Sequence, residues 1–231
     1  MTELTPLGAH ADQIPRYARI NTNLTTAESL IAYLQTAAGG SFTFLPGPGP
    51  YPSPLPPRTI HLDEHVPNLL VFPLSSSPIL TAPHPSYAAG HLILQDKASC
   101  FPAYVLDPST VGGAEAIDAT AAPGNKTSHL SMLLGNAGKV HAFELSPKRY
   151  ELLQKMIAKA GCKNVEFGTD PRGRDFLATN PKGPEWSKVQ YVRGVAFRSS
   201  GAQSWLTTGP PGTSCSIRVA PEAVSSTVST F

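Results

Sequence analysis

From Ala116 to Gly168 the sequence alternates short β-branched or apolar runs with amphipathic stretches. Few folds accept that rhythm, because neighbouring parallel strands need a long crossover that is usually a helix. AIDATAA (residues 116–122) reads as a strand that leads through the turn PGNK into a helix near Thr127–Leu134. KVHAFEL (Lys139–Leu145) reads as the next strand. A second helix follows, with Ser146 as N-cap and Pro147 at its first position. Tyr150, Leu153, Ile157 and Ala160 recur on one of its faces, and Gly161 stands just past its end. Asn164–Gly168 is a third strand and Val189–Val192 a candidate fourth. The expected fold class is α/β, a partial doubly wound sheet.

Upstream, Tyr17–Asn21 reads as a strand. A helix follows it, with Thr25 or Thr26 as N-cap, Glu28 in its first turn, and Leu30, Ile31 and Leu34 as its apolar stripe. Between Pro46 and Pro57, seven of twelve residues are proline, which removes amide donors and demands an extended loop. Asn68–Pro73 and His91–Leu94 read as short buried strands, with a helix over Gln95–Tyr104. These features divide the chain into a small α+β module over 1–90, an α/β domain over 91–193, and an irregular tail over 194–231. That tail is rich in Ser, Thr, Gly and Pro and is expected to be disordered.

With 231 residues, 41% of them apolar, the chain can bury a real core. A formal charge of +2 excludes a polycationic nucleic-acid arm but permits a local basic groove. Three cysteines, Cys100, Cys162 and Cys215, make neither a disulfide framework nor a zinc pattern, so no metal and a reducing, intracellular setting are expected. The N-terminus lacks a basic-then-apolar leader, and the apolar run near Leu69–Leu74 is too short to span a bilayer, so no membrane is expected.

The chemistry concentrates in DATAAPGNKTSHL (Asp118–Leu130), the first strand-to-helix turn of the α/β region. Ligands of such sheets sit where this turn exposes backbone amides. Gly124 permits close backbone approach, Pro123 stiffens the entry, and Lys126 can anchor a carboxylate or phosphate. Glu144, at the end of the next strand, stands where an acid accepts hydrogen bonds from ribose hydroxyls. The turn lacks both GxxxxGK[ST] and GxGxxG, which argues against a nucleotide triphosphate or a dinucleotide. S-adenosyl-L-methionine, with a ribose and no phosphate, suits one glycine and one lysine. The competing account of Asp118 and Lys126 is a surface salt bridge at a helix start. His129 is expected on a helix surface, and Cys100 and Cys162 in packing roles. Arg16, Arg19, Lys148, Arg149, Lys155 and Lys159 are candidates to face RNA, with solvated surface charge as the alternative.

DATAAPGNKTSHL resembles the cofactor loop DxCAAPGxKT of the Nop/Sun (RsmB/Nop-type) RNA cytosine-5 methyltransferases. PRYARINT, LDEHVPNLLVFP, HLILQDKASCFPAYVLDP and FELSPKRYELLQKMIAKAGCKNVE resemble the branch that acts on large-subunit ribosomal RNA, over roughly Pro15 to Val192. The resemblance implies a Rossmann-like methyltransferase sheet preceded by an RNA-facing module, and a nucleolar site of action. It implies that Thr120, Ala121, Ala122, Pro123, Gly124, Asn125 and Lys126 form the loop that holds S-adenosyl-L-methionine. It also implies Glu144 as ribose ligand and Asp175 as the acid near the adenine. Thr120 departs from the family's usual cysteine.

The family works with two cysteines, one in a Pro-Cys-Ser-Gly motif after the fourth strand and one in a later Thr-Cys-Ser motif. Here VQYV runs into RGVAFRSSGAQSW, and Pro-Cys-Ser-Gly occurs nowhere. TSCSI (Thr213–Ile217) resembles the second motif and makes Cys215 the candidate nucleophile. Two expectations therefore stand together. The chain is an S-adenosylmethionine-dependent rRNA cytosine-C5 methyltransferase, catalytically incomplete through a truncated or frameshifted C-terminal part, or it is a non-catalytic fragment that binds cofactor or RNA.

Overall fold

The computed structural model describes residues 15–45, 47, 51–52, 54–80, 83–106, 115–168 and 176. Two compact units emerge, Met1–Val105 with Ile157–Cys162, and Leu106–Met156 with Lys163–Phe231. The expected strand at Val189–Val192, the tail over 194–231, Asp175 and Cys215 lie outside the described residues.

The first unit contains β1 (Arg16–Ile20), α1 (Ala27–Gln35), β2 (Thr43–Phe44), β3 (Thr59–Leu62) and β4 (Leu69–Phe72). A 3-10 helix (Leu74–Leu80), α2 (Pro85–Ala88), β5 (Leu92–Leu94) and α3 (Lys97–Leu106) follow. The strands form one sheet in the order β2-β3-β4-β1-β5. β1 runs antiparallel to both β4 and β5, so Ala18 lies between Leu70 and Leu94. Because β5 pairs with β1, this sheet extends past residue 90.

Strand alternation sends Ala18 and Ile20 to one face, where they meet Ile60, Leu70, Phe72 and Leu92 in the core. Leu30 and Leu34, one helical turn apart on α1, close that core, and both are buried. α1 starts where the sequence says it should. The Thr26 hydroxyl accepts the Ser29 N–H at 3.2 Å, satisfying an amide that the helix cannot reach. On the other face, Val66, Leu69 and Cys100 pack together with Tyr17 beside them.

Arg19 also lies within this unit, and there the expectation of a solvent- or RNA-facing charge fails. Its side chain is fully buried, and Nε donates to Gln95 Oε1 at 3.1 Å. A strand residue next to core positions goes inside when both sheet faces are covered. Two strands also escaped the sequence reading. β2 has two residues and β3 four, too short to show an alternation, and β3 is held by β4, with His61 opposite Val71. The described residues between Pro46 and Pro57 contain no helix or strand, as the prolines require. Tyr51 from that loop shares a 2.9 Å hydroxyl contact with Tyr17.

The second unit contains β6 (Glu115–Asp118), α4 (Asn125–Leu133), β7 (Lys139–Ala142), β8 (Val165–Phe167) and, up to Met156, α5 (Pro147–Lys159). Its three strands are parallel in the order β6-β7-β8, with Asp118 level with Ala142 and Ala142 level with Phe167. Two successive strand–helix–strand crossovers make the α/β architecture that the sequence anticipates.

β6 and β7 both end earlier than expected. Beyond Asp118 and Ala142 the backbone leaves the ladder, though Phe143 N–H still donates to Asp118 O at 2.9 Å and Ala121 N–H to Phe143 O at 2.8 Å. Those two bonds carry the connection between the strands into the turn. α5 begins at Pro147, and its buried Leu153 and Ile157, with buried Ala160 just past its end, match the expected stripe. Gly161, at φ +66°, adopts the left-handed conformation that ends a helix at little cost to glycine. His129 is buried rather than on a helix surface, since Thr127 through Met132 are all enclosed. A nine-residue helix enclosed around its circumference shows no amphipathic stripe, which is why the sequence misplaces His129.

Candidate cofactor site

Asp118 ends β6 and opens the turn. Its carboxylate is buried; Oδ2 lies 2.7 Å from Thr127 Oγ1, and Oδ1 accepts the Thr120 N–H at 3.3 Å. This geometry excludes the surface salt bridge weighed as the alternative. Burial raises the carboxyl above the usual carboxylate range. The Thr127 hydroxyl, the Thr120 amide and the Lys126 charge pull it down, and Glu144 pushes it further up.

Between Asp118 and α4, Thr120 and Pro123 are exposed, Ala121, Ala122 and Gly124 are buried, and Asn125 and Lys126 are half-buried. Gly124 caps α4 at φ 112°, a conformation that side chains rarely tolerate, so glycine is required at this bend. Ser128 N–H donates to Gly124 O at 2.8 Å, closing the first helical turn. The amides ahead of it form the positive end of the helix.

Glu144 lies just beyond β7 and is buried. Its Oε1 accepts the Ser146 N–H at 3.0 Å, which orients the carboxylate. Arg149, in the first turns of α5, reaches back so that Nη2 donates to Ala122 O at 2.8 Å and lies 3.6 Å from Glu144 Oε2. One guanidinium thus spans the turn and the acid. Arg149 is exposed, as expected of a solvated helix charge, but the sequence does not anticipate its contact with the turn. The available signal was its place five residues after Glu144, in a helix whose start Ser146–Pro147 had already fixed.

Phe143, between β7 and Glu144, meets the Phe176 ring edge-on at 5.3 Å between centroids. The arrangement therefore brings the 120–126 turn and Glu144 together at one end of the parallel strands. Its donors suit a nucleoside: one glycine and one lysine in the turn, and a carboxylate that can accept from hydroxyl groups. Among the described residues, no three His, Cys, Asp or Glu side chains come together as a metal site. No helix among them is long and apolar enough to cross a membrane.

Two family models match the chain. Residues 14–95 match the ferredoxin-like domain of NOL1/NOP2/Sun domain family member 5, and residues 103–175 match the 16S rRNA methyltransferase RsmB/F model. A mouse 28S rRNA (cytosine-C(5))-methyltransferase is 41% identical over 79% of this chain and 37% of the mouse protein. The 25S rRNA (cytosine-C(5))-methyltransferase NSUN5 of Arabidopsis thaliana is 35% identical over 77% of this chain and 26% of its own length. The chain thus spans well under half the length of these relatives.

Among solved structures, that of PH0851 superposes with a TM-score of 0.57 at 25% identity, covering 79% of this chain and 34% of that one. A methyltransferase homologue from Pyrococcus horikoshii gives 0.50 at 25% identity, covering 67% and 43%. The ferredoxin-like match falls on the five-stranded sheet, and the methyltransferase match begins in α3 and takes in the parallel strands with their turn. The chain belongs to the NOL1/NOP2/Sun (RsmB/Nop-type) family, in which these mouse and Arabidopsis relatives are named large-subunit rRNA (cytosine-C(5))-methyltransferases.

Proposed function

We propose that this chain carries the N-terminal module and the cofactor-binding half of an S-adenosylmethionine-dependent rRNA cytosine-C5 methyltransferase. One observation carries the reading. A single guanidinium, Arg149, donates to the carbonyl of the turn and faces the Glu144 carboxylate, so one side chain links turn and acid. Glu144 accepts from the ribose hydroxyls, while Thr120 to Lys126 hold the amino-acid end of the cofactor through backbone amides and the Lys126 ammonium. Bound S-adenosylmethionine supplies an electrophilic methyl group on its sulfonium. Asp175 completes the adenine side in this proposal, and Cys215 is its candidate nucleophile.

The ribosomal RNA substrate and a nucleolar site of action belong to the same proposal. They rest on what the mouse and Arabidopsis relatives are called. The five-stranded module is proposed as the RNA-facing part, with the exposed Arg16 of β1 as its contact candidate; within the second unit, the exposed Lys148 and Lys155 on α5 are separate candidates.

Calorimetric titration with S-adenosylmethionine tests the cofactor reading. Wild-type chain should bind saturably, and Glu144→Ala should weaken binding by about tenfold or more, as expected when a buried carboxylate no longer meets its hydroxyl partners. Equal binding by wild type and Glu144→Ala would remove the ribose role.

A further inference from the structure

The Thr127 hydroxyl has one proton and two acceptors. Oγ1 lies 2.7 Å from Asp118 Oδ2 and 3.2 Å from the carbonyl oxygen of Ala121, and both side chains are buried. A hydroxyl donates once and accepts through its lone pairs, so only two proton arrangements fit these distances. With Asp118 ionised, Thr127 donates to Oδ2. With Asp118 neutral, the carboxyl O–H donates to Thr127 Oγ1, and the Thr127 proton passes to Ala121 O. The heavy atoms keep their positions in both.

We infer that Asp118 and Thr127 are a positioning pair that clamps the two ends of the 119–126 turn, acting through hydrogen bonds in either protonation state and not through negative charge. The geometry explains why the clamp reaches the whole turn. Asp118 Oδ1 holds the Thr120 amide, Thr127 meets Ala121 O, and the Ala121 amide is tied to Phe143 O at 2.8 Å, next to Glu144. The ionic groups that bear on the carboxyl are Lys126 in the turn and Glu144 beyond β7, of opposite sign. The pair acts on a ligand through the turn, and its effect on binding rests on the cofactor reading given above.

Four variants of the full chain separate tie from charge. Thr127→Val keeps the shape and removes the hydroxyl, whereas Thr127→Ser keeps the hydroxyl. Asp118→Ala removes the acceptor, whereas Asp118→Asn keeps both contacts, its amide N–H donating to Thr127 Oγ1 and its oxygen accepting from Thr120. We expect Thr127→Val and Asp118→Ala to weaken S-adenosylmethionine binding about tenfold and to speed amide exchange at Thr120 and Ala121, as the loss of a buried hydrogen bond implies. Thr127→Ser and Asp118→Asn should each recover most of both losses.

Asp118→Asn as damaging as Asp118→Ala would overturn the inference, because the charge would then be what matters. Wild-type exchange rates in Thr127→Val would overturn it equally. Absence of cofactor binding by the wild type would instead remove the cofactor reading, and the exchange pattern across the variants would still decide the clamp. If Thr127→Val fails to fold, the contrast between Asp118→Ala and Asp118→Asn carries the test.

Discussion

Among the described residues each unit buries one aspartate, and the two are held in opposite ways. In the ferredoxin-like unit, Asp63 follows β3. Its Oδ1 accepts the N–H groups of His65 at 3.0 Å and Val66 at 2.9 Å, and its Oδ2 meets Lys97 Nζ at 2.7 Å. Burial alone would raise this carboxyl, yet Lys97 and the two amides draw it below its ordinary value. In the methyltransferase unit, Asp118 has a hydroxyl and one longer amide contact, and burial raises it. The same carboxyl is drawn toward its ionic form where an ammonium meets it and away from that form where a hydroxyl and one amide do. What decides is the partner: an ammonium selects the anion, whereas a hydroxyl serves either form.

The largest way to break this comparison is to take away the ammonium. Lys97→Met should cost about 3 kcal/mol, since it leaves a buried carboxylate without its counter-charge. Urea unfolding of the intact chain, with amide exchange of β3 and β4 as local reporter, measures it. Thr127→Val should cost less in stability, because Asp118 can hold its proton instead.

The second test is the sign of the pH dependence. Asp63 has a folded pKa below the unfolded 3.8, so its contribution is present above that value and fades as pH falls through the folded pKa. Asp118 has a folded pKa above 3.8, so the folded state binds the extra proton and stability declines as pH rises through the folded pKa. Unfolding measured from pH 3 to 7 should therefore show the advantage of wild type over Asp63→Asn growing with pH. Across the same range, wild type should lose ground to Asp118→Asn. Parallel curves would end the comparison.

The smallest effect sharpens the description of the second unit. Arg149 is 58% exposed at its side chain, so Arg149→Ala should change stability by no more than about 0.5 kcal/mol. Cofactor affinity should still fall about threefold to tenfold, because the link between Ala122 O and Glu144 is lost. A stability loss as large as that of Lys97→Met would mean the guanidinium fastens architecture instead.

Local chemistry was legible without any structure. Thr26 caps α1, Pro147 starts α5 and Gly161 ends it, because a cap, a ring-fixed φ and a missing Cβ act on their immediate neighbours. The turn proposed to hold the cofactor was legible as a turn for the same reason: it is one continuous stretch in which Gly124, at φ 112°, caps α4. Pairing across distance was not. β3 is four residues after a proline-rich loop, and its identity as a strand comes from His61 and Leu62 lying beside Val71 and Leu70. Arg19 and His129 read as surface side chains, yet both are buried, whereas Arg149 is exposed as expected and in addition turns back to a carbonyl 27 residues earlier. Asp118 was recognisable as part of a motif, but its burial under Thr127 depends on the crossover that brings α4 back over β6. A sequence states which groups each residue carries; which of them lose their water is decided only when distant segments pack, and that loss sets whether a carboxyl remains an ion.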